Sequence, residues 1–166
     1  MIRKCSRRDI PQIYRIVNEA AKAYDGVIPG DCYHTPYMPE KELICEFGEM
    51  TFYGFEEDGR LLGVSGLQAV QDVTLIRHTY VLPEFQGKGI GGKLIQHLKS
   101  KTKTQKLLVG TWATASWAIK FYEKNGFKLM KEKQKLLRRY WCIPENQVKN
   151  SVVLGLDLKP PTKNHP

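Results

Sequence analysis

The feature that most restricts the fold is a run of four segments between Asp72 and Ala113. "DVTLIRHTYVL" (72–82) is rich in β-branched and aromatic residues and has the length of a strand. "EFQGKGIGGKL" (84–94) follows at once and carries four glycines. Ile90, Leu94, Ile95 and Leu98 then recur on one helical face, and "KLLVGTWA" (106–113) is a second apolar run of strand length. Strand, loop, helix and strand in this order make a right-handed crossover that sets two parallel strands side by side. The chain must therefore build an α/β sheet with flanking helices.

The rest of the sequence extends that sheet. "MIRKCSRRDI" offers a short strand and a helix start at Ser6, after which Ile10, Ile13, Ile16, Val17 and Ala20 repeat at helical spacing. From Ala23 to Pro39 the chain is rich in proline, glycine and tyrosine without either period, which predicts a long ordered loop of the kind that often carries function. A short helix is expected over Glu40–Phe47. Asp58-Gly59 is a two-residue hairpin signal between alternating runs, so two antiparallel strands precede the strand at 72–82 and form a meander with it. "ASWAIKFYEKNGF" (115–127) predicts another helix closed by Asn125-Gly126, and "FKLMK" and "SVVLGLDL" predict late strands. At 166 residues one domain is expected, over 1–158, with 159–166 as a flexible tail. The fold class is α/β (α+β), with a mixed central sheet, an antiparallel N-terminal meander and one parallel pair.

Composition narrows the partners. A net charge of +9 places positive potential on the surface and favours anionic ligands. Cys5, Cys32, Cys45 and Cys142 form no C-x-x-C pair and have no histidine at metal-ligand spacing, so neither a zinc site nor a disulfide framework is signalled. No apolar signal core opens the chain, and no apolar run approaches the roughly 18 residues of a spanning helix. A reduced, cytoplasmic protein with no metal and no membrane partner is expected.

The glycine loop fits three phosphate-binding signatures. Gly87, Gly92 and Lys93 nearly make a Walker A loop, but the next residue is Leu94 where a magnesium-binding Ser or Thr is needed. The Asp157 of "VVLGLD", which could end a Walker B strand, lies at the far C-terminus. Gly87, Gly89 and Gly92 read G-x-G-x-x-G, but the acidic residue that should follow about 20 positions later is missing, since Thr102–Lys120 contains no Asp or Glu. Gln86, Gly89 and Gly91 read Q-x-x-G-x-G.

The third reading is supported from outside the loop. "TYVLPEFQGKGIGGKLIQHL" together with "ASWAIKFYEKNGF" resembles the GCN5-related N-acetyltransferase (GNAT) superfamily, and the element order agrees from Met1 to Phe127. The physics of the loop agrees as well: free amides at a helix N-terminus attract an anion, and glycines let the backbone approach a pyrophosphate.

The resemblance implies an acetyl-CoA cosubstrate and direct transfer of its acetyl group to an amine in a ternary complex. It places Gln86, Gly87, Lys88, Gly89, Ile90, Gly91, Gly92 and Lys93 at the phosphates, Tyr80, Val81 and Leu82 along the pantetheine, and Ser116 and Phe121 on the second helix as further cofactor contacts. An N–H of Val81 or Leu82 would stabilise negative charge on the thioester oxygen. Tyr122 occupies the position of the acid that serves the departing thiolate, and Phe121 beside it is also read as core. Family members often have Asn where this chain has Ala115, which Ser116 replaces only in part.

The base is less defined. His78 is the foremost candidate, beside Arg77; Glu84, Asp72 and His34 are others, and Leu75 is apolar where the family commonly places its base. The acceptor is a small-molecule or peptide amine, met by Tyr24, Asp25, Asp31, Tyr33, His34 and Tyr37 of the long loop. Arg138 and Arg139 of "LLRRYW" point instead to an acidic acceptor if they flank the same cleft. Such a protein would act as a monomer or homodimer. The competing class is a non-catalytic basic α/β module that binds RNA or a protein partner; the charge favours it, while the lack of an aromatic-plus-basic strand pattern speaks against nucleic acid.

Overall fold

The computed structural model describes residues 1–158, and the tail expected at 159–166 lies outside the described residues. Strand β1 (Ile2–Lys4) leads through a 3₁₀ turn at Arg7–Asp9 into helix α1 (Ile10–Ala20). Buried Asp9 fixes this corner: its carboxylate accepts the Ser6 N–H at 2.7 Å and a two-pronged pair from Arg3 at 2.8 and 2.9 Å. Those bonds hold Asp9 below the usual carboxylate range, the Arg3 bond contributing most.

After the loop come helix α2 (Glu40–Glu49) and the meander of strands β2 (Thr51–Glu57), β3 (Arg60–Val70) and β4 (Val73–Val81). Asp58 and Gly59 both take positive φ, +50° and +75°, as the two-residue hairpin requires. Helix α3 (Ile90–Lys101), strand β5 (Lys106–Trp112) and helix α4 (Ser116–Lys124) complete the crossover and its sequel. Gly126 at φ +94° closes α4, and Lys99 Nζ donates to the Asn125 carbonyl there.

Strand β6 is only Lys128–Leu129, so "FKLMK" contributes less strand than its pattern suggests. "LLRRYW" forms the end of helix α5 (Lys133–Tyr140), with Leu137 and Tyr140 buried one turn apart and Trp141 just past its last turn; α6 (Glu145–Lys149) and strand β7 (Ser151–Asp157) follow.

Among the described residues seven strands lie in the order β1-β2-β3-β4-β5-β7-β6, and β4 with β5 is the single parallel pair. Period-2 alternation sends neighbouring residues to opposite faces. Ile76, Leu107, Val109 and Leu154 pack under α3 and α4, while Leu75, Leu108 and Val153 meet α5 and α6. Further along that second face, α1 and Leu43 of α2 cover Phe52, Leu61 and Val64.

Candidate active site

The site begins where the parallel pair ends. β4 and β5 are in register at Thr74–Leu107, Leu75–Leu108 and Ile76–Val109, and beyond Ile76 they part although both strands continue. On its other edge β4 carries a bulge, because the β3 register steps from Gly66–Arg77 to Val64–Tyr80 and sets His78 and Thr79 against Ser65 alone. His78 takes φ +56° to make it, and the Ser65 and Thr79 hydroxyls bond at 2.7 Å.

Past the bulge the ladder decides which amide is free. Leu82 N–H donates to the Leu62 carbonyl at 2.9 Å, so Leu82 is tied to β3 and its buried side chain belongs to the core. Hydrogen-bonded and open positions alternate in an antiparallel pair, so Val81, opposite Gly63, turns its N–H and C=O away from β3 toward the gap left by β5. The Val81 carbonyl accepts Gln86 Nε2 at 3.0 Å, and its N–H faces the gap.

A cavity of about 530 Å³ occupies that gap. Its floor is the glycine loop. Gly87 (φ +78°) and Gly89 (φ +82°) need their left-handed conformations, and nothing lies within 4 Å of where their Cβ atoms would stand, which leaves room for a ligand. The first bond of α3 runs from Lys93 N–H to the Gly89 carbonyl, so the amides of Ile90, Gly91 and Gly92 have no partner within the helix. Gly91 is glycine for another reason: a Cβ there would stand 3.0 Å from the Phe121 ring.

Of the residues expected at the cofactor and the chemistry, His78, Tyr80, Val81, Gln86, Gly87, Gly89, Ile90, Gly91, Gly92, Phe121 and Tyr122 all line this cavity. Leu82, Lys88, Lys93 and Ser116 do not. Lys88 and Lys93 stand over the rings of Phe85 and Phe55, at 5.2 and 5.7 Å from their centroids. Ser116 is exposed, and the next residues, Trp117 and Ala118, form the wall in its place. Trp117, which helical spacing places on a buried stripe, is 45% exposed and stacks on Tyr24 at 6.0 Å.

Burial keeps the phenols around this cavity neutral. The Tyr122 hydroxyl is pushed up to about 12 by burial, opposed by a hydrogen bond with Thr79. Burial likewise drives Tyr80 and Tyr24 well above the ordinary tyrosine range.

A second cavity, about 580 Å³, opens on the other side of β4 and β5, and its wall shares Tyr24, Ile76, His78, Tyr80, Gly110 and Thr111 with the first. The long loop forms one side of it. Tyr37 packs on Tyr24 at 5.3 Å and accepts the Trp112 indole N–H at 2.9 Å, and Asn146 donates to Asp31 at 2.7 Å. Asp31, His34, Glu42, Glu46 and Arg77 also line it. Arg138 and Arg139 do not: they pair with Glu145 and Asp72 outside the cavity, while Leu137 and Trp141 form its wall. Asp72 accepts the Tyr140 hydroxyl at 2.8 Å and Glu84 pairs with Arg60 at 3.5 Å, so neither reaches the junction. Glu46 has no signal in the sequence, where it is one of several acidic residues on an amphipathic helix.

Residues 48–129 match the family described as Acetyltransferase (GNAT) domain. The PaiA N-acetyltransferase from Thermoplasma acidophilum, solved in complex with coenzyme A, is 19% identical with a TM-score of 0.73, over 95% of this chain and 98% of its own. The ribosomal-protein-S18-alanine N-acetyltransferase from Escherichia coli is 19% identical with a TM-score of 0.69, over 99% and 97%. A GNAT family acetyltransferase from Elizabethkingia anophelis with acetyl-CoA bound is 23% identical with a TM-score of 0.67, over 95% and 97%. At such identities the likeness is one of fold. No curated protein matches the chain in sequence. With the family match on the crossover and the same architecture over nearly the whole length, the chain belongs to the GNAT acetyltransferases.

Proposed function

We propose that the protein transfers the acetyl group of acetyl-CoA to an amine, by direct attack within a ternary complex. The observation that carries this reading is the meeting of two cavities at Tyr24, Ile76, His78, Tyr80, Gly110 and Thr111, where β4 and β5 part. The first suits coenzyme A: it has unpartnered amides and open glycines at one end for phosphates, and aromatic walls at Trp117 and Phe121. Acetyl-CoA supplies an activated thioester. The chain supplies the rest. Val81 N–H is available to hold negative charge on an acyl oxygen, and the neutral Tyr122 phenol donates to the departing sulfur. His78, at the junction, takes the proton that a protonated amine must lose.

The second cavity suits a cationic amine. Its aromatic faces and the carboxylates of Asp31 and Glu42 support that class, and the two arginines that argued for an acidic acceptor stand elsewhere. Among the described residues no helix is long and apolar enough to cross a membrane, and no cluster of three or more His, Cys, Asp or Glu is placed to hold a metal.

The test is calorimetric titration with acetyl-CoA, with NAD and Mg-ATP as controls, followed by thiol release on adding amines. Saturable binding of acetyl-CoA alone and amine-dependent thiol release are expected. Binding of a control in its place, or acetyl-CoA binding with no transfer to amines and tight salt-dependent binding of RNA, would overturn the reading.

A further inference from the structure

Glu46 and His78 come from distant elements and are closed against each other. His78 Nε2 contacts Glu46 Oε2, and both atoms are sealed from solvent with no other partner. Each side chain is about 15% exposed. Glu46 is held from its other oxygen, where Arg77 donates at 3.3 Å, and Arg77 in turn reaches Gln68 at 3.4 Å. Phe52 stacks on the imidazole at 6.2 Å and 17°. The strained bulge at φ +56° is what turns the His78 ring from the strand toward α2. His78 Nδ1, by contrast, bonds to nothing in the protein and is not sealed, while the ring lines both cavities. The other charged or titratable groups facing this junction are Arg77 beside it, Tyr24, Tyr80 and Tyr37 around it, Tyr122 on the side of the first cavity, and Asp31, Cys32, His34, Glu42 and Cys142 across the acceptor cavity.

A neutral imidazole has one N–H, and which nitrogen carries it is set by the partner of that nitrogen. A carboxylate accepts only; burial opposes the charge on Glu46, but the hydrogen bond with His78 and, after it, the Arg77 charge outweigh burial and hold Glu46 below its ordinary value. We propose that Glu46 is a positioning residue: it fixes the His78 proton on Nε2 and leaves Nδ1 as the bare acceptor at the junction of the two cavities. This rests on the amine acetyl-transfer reading above. In the step it serves, an N–H bond of the acceptor ammonium breaks and Nδ1–H forms. The electron pair stays on the amine nitrogen, and the imidazolium, held by Glu46 at Nε2, later returns its proton to water.

The experiment joins a spectroscopic and a kinetic readout. In protein labelled with ¹⁵N at the histidine rings, with His78 assigned by its loss in His78→Gln, the wild type should show protonated Nε2 and bare Nδ1 above the histidine titration range. Glu46→Met, which keeps the length of the side chain but not the acceptor, should show a mixture of tautomers. Kinetically, Glu46→Met should lower kcat for the amine by roughly 10 to 100-fold with the acetyl-CoA dissociation constant unchanged. Combined with His78→Gln it should lose nothing further. Glu46→Gln, which retains a carbonyl acceptor, should keep the Nε2-protonated tautomer and is the conservative rescue, while Glu46→Leu repeats the cycle in case the methionine variant does not fold. An unchanged His78 tautomer in Glu46→Met or Glu46→Leu, losses that multiply in the double variant, or full activity in His78→Gln overturns the proposal. If no amine is acetylated by the wild type, the functional reading fails, and the ring-nitrogen spectrum still decides the tautomer because it needs no turnover.

Discussion

Tyr122→Phe separates chemistry from folding. The residue is 6% exposed, and the change removes one hydroxyl without opening a cavity. Thr79 keeps its 2.7 Å partner Ser65, so the loss at neutral pH should be about 1 kcal/mol or less. The catalytic loss should be larger. A phenol pushed up to about 12 stays protonated throughout the working range but lies above an ordinary thiol at about 8.5. It therefore acts more as a hydrogen-bond donor than by complete transfer, which sets kcat down by about 100-fold, the lower end for such groups.

The raised value also has a sign in stability. A folded-state value above the unfolded one of about 10 means that the contribution of the neutral buried phenol is fully present below pH 10 and is lost as pH rises through about 12. At pH 11 the wild type should have lost about 1.4 kcal/mol relative to pH 8 through this group alone, and Tyr122→Phe should not share that loss. Thiol release in single turnover, with urea unfolding at pH 8 and 11 for both proteins, measures the two parts. A kcat within threefold of the wild type would refute the role in chemistry. An unfolding difference between the proteins that is the same at both pH values would refute the account of the buried phenol.

Other outcomes follow from the site. Gly89→Val, at φ +82°, should weaken acetyl-CoA binding at least tenfold by calorimetry, because the cradle is strained and its open space filled. Gly91→Leu drives a side chain into the Phe121 ring, 3.0 Å from the Cβ position, and should cost roughly 1–3 kcal/mol in urea unfolding as well as cofactor affinity. Asp9→Asn should flatten the acid limb of stability: the depressed carboxylate stabilises above the unfolded value near 3.9 and that contribution disappears as pH falls through the folded value. Arg138→Ala with Arg139→Ala should leave the KM for the amine within twofold, since both guanidinium groups pair outside the cavity; a larger rise would return them to the acceptor site.

The parts of the site that are local in sequence are the parts that could be read from it. The glycine loop lies between a β-branched strand and an apolar helical stripe, so the open glycines at a helix N-terminus and the parallel pair follow from contiguous segments, while Tyr122, which lines the cavity, is legible only through the resemblance of "ASWAIKFYEKNGF". Leu82 continues the strand pattern and gives no sign that its N–H is taken by Leu62, which depends on the bulge at His78 and Thr79. Lys88 and Lys93 have the right charge beside the right loop, but their ammonium groups stand over the rings of Phe85 and Phe55, and neither residue lines the cavity. Glu46 and the cavity wall at Leu137 and Trp141 depend on packing between elements far apart in the chain, for which single-sequence periodicity carries no signal.

The two cavities also differ in where their walls come from. The cavity proposed for the cofactor draws chiefly on residues 76–92 and 109–122, inside the segment 48–129 that matches the family. The cavity proposed for the acceptor adds residues from 31–46 and 137–151, which lie before and after that segment. On the proposed reading the molecule is built as a fixed handle with interchangeable jaws: insertions or drift in either outer segment would reshape what is gripped while the half proposed to hold the thioester keeps its glycines, its free amide and its phenol. On that reading a change of acceptor would need no change at the loop from Gln86 to Gly92.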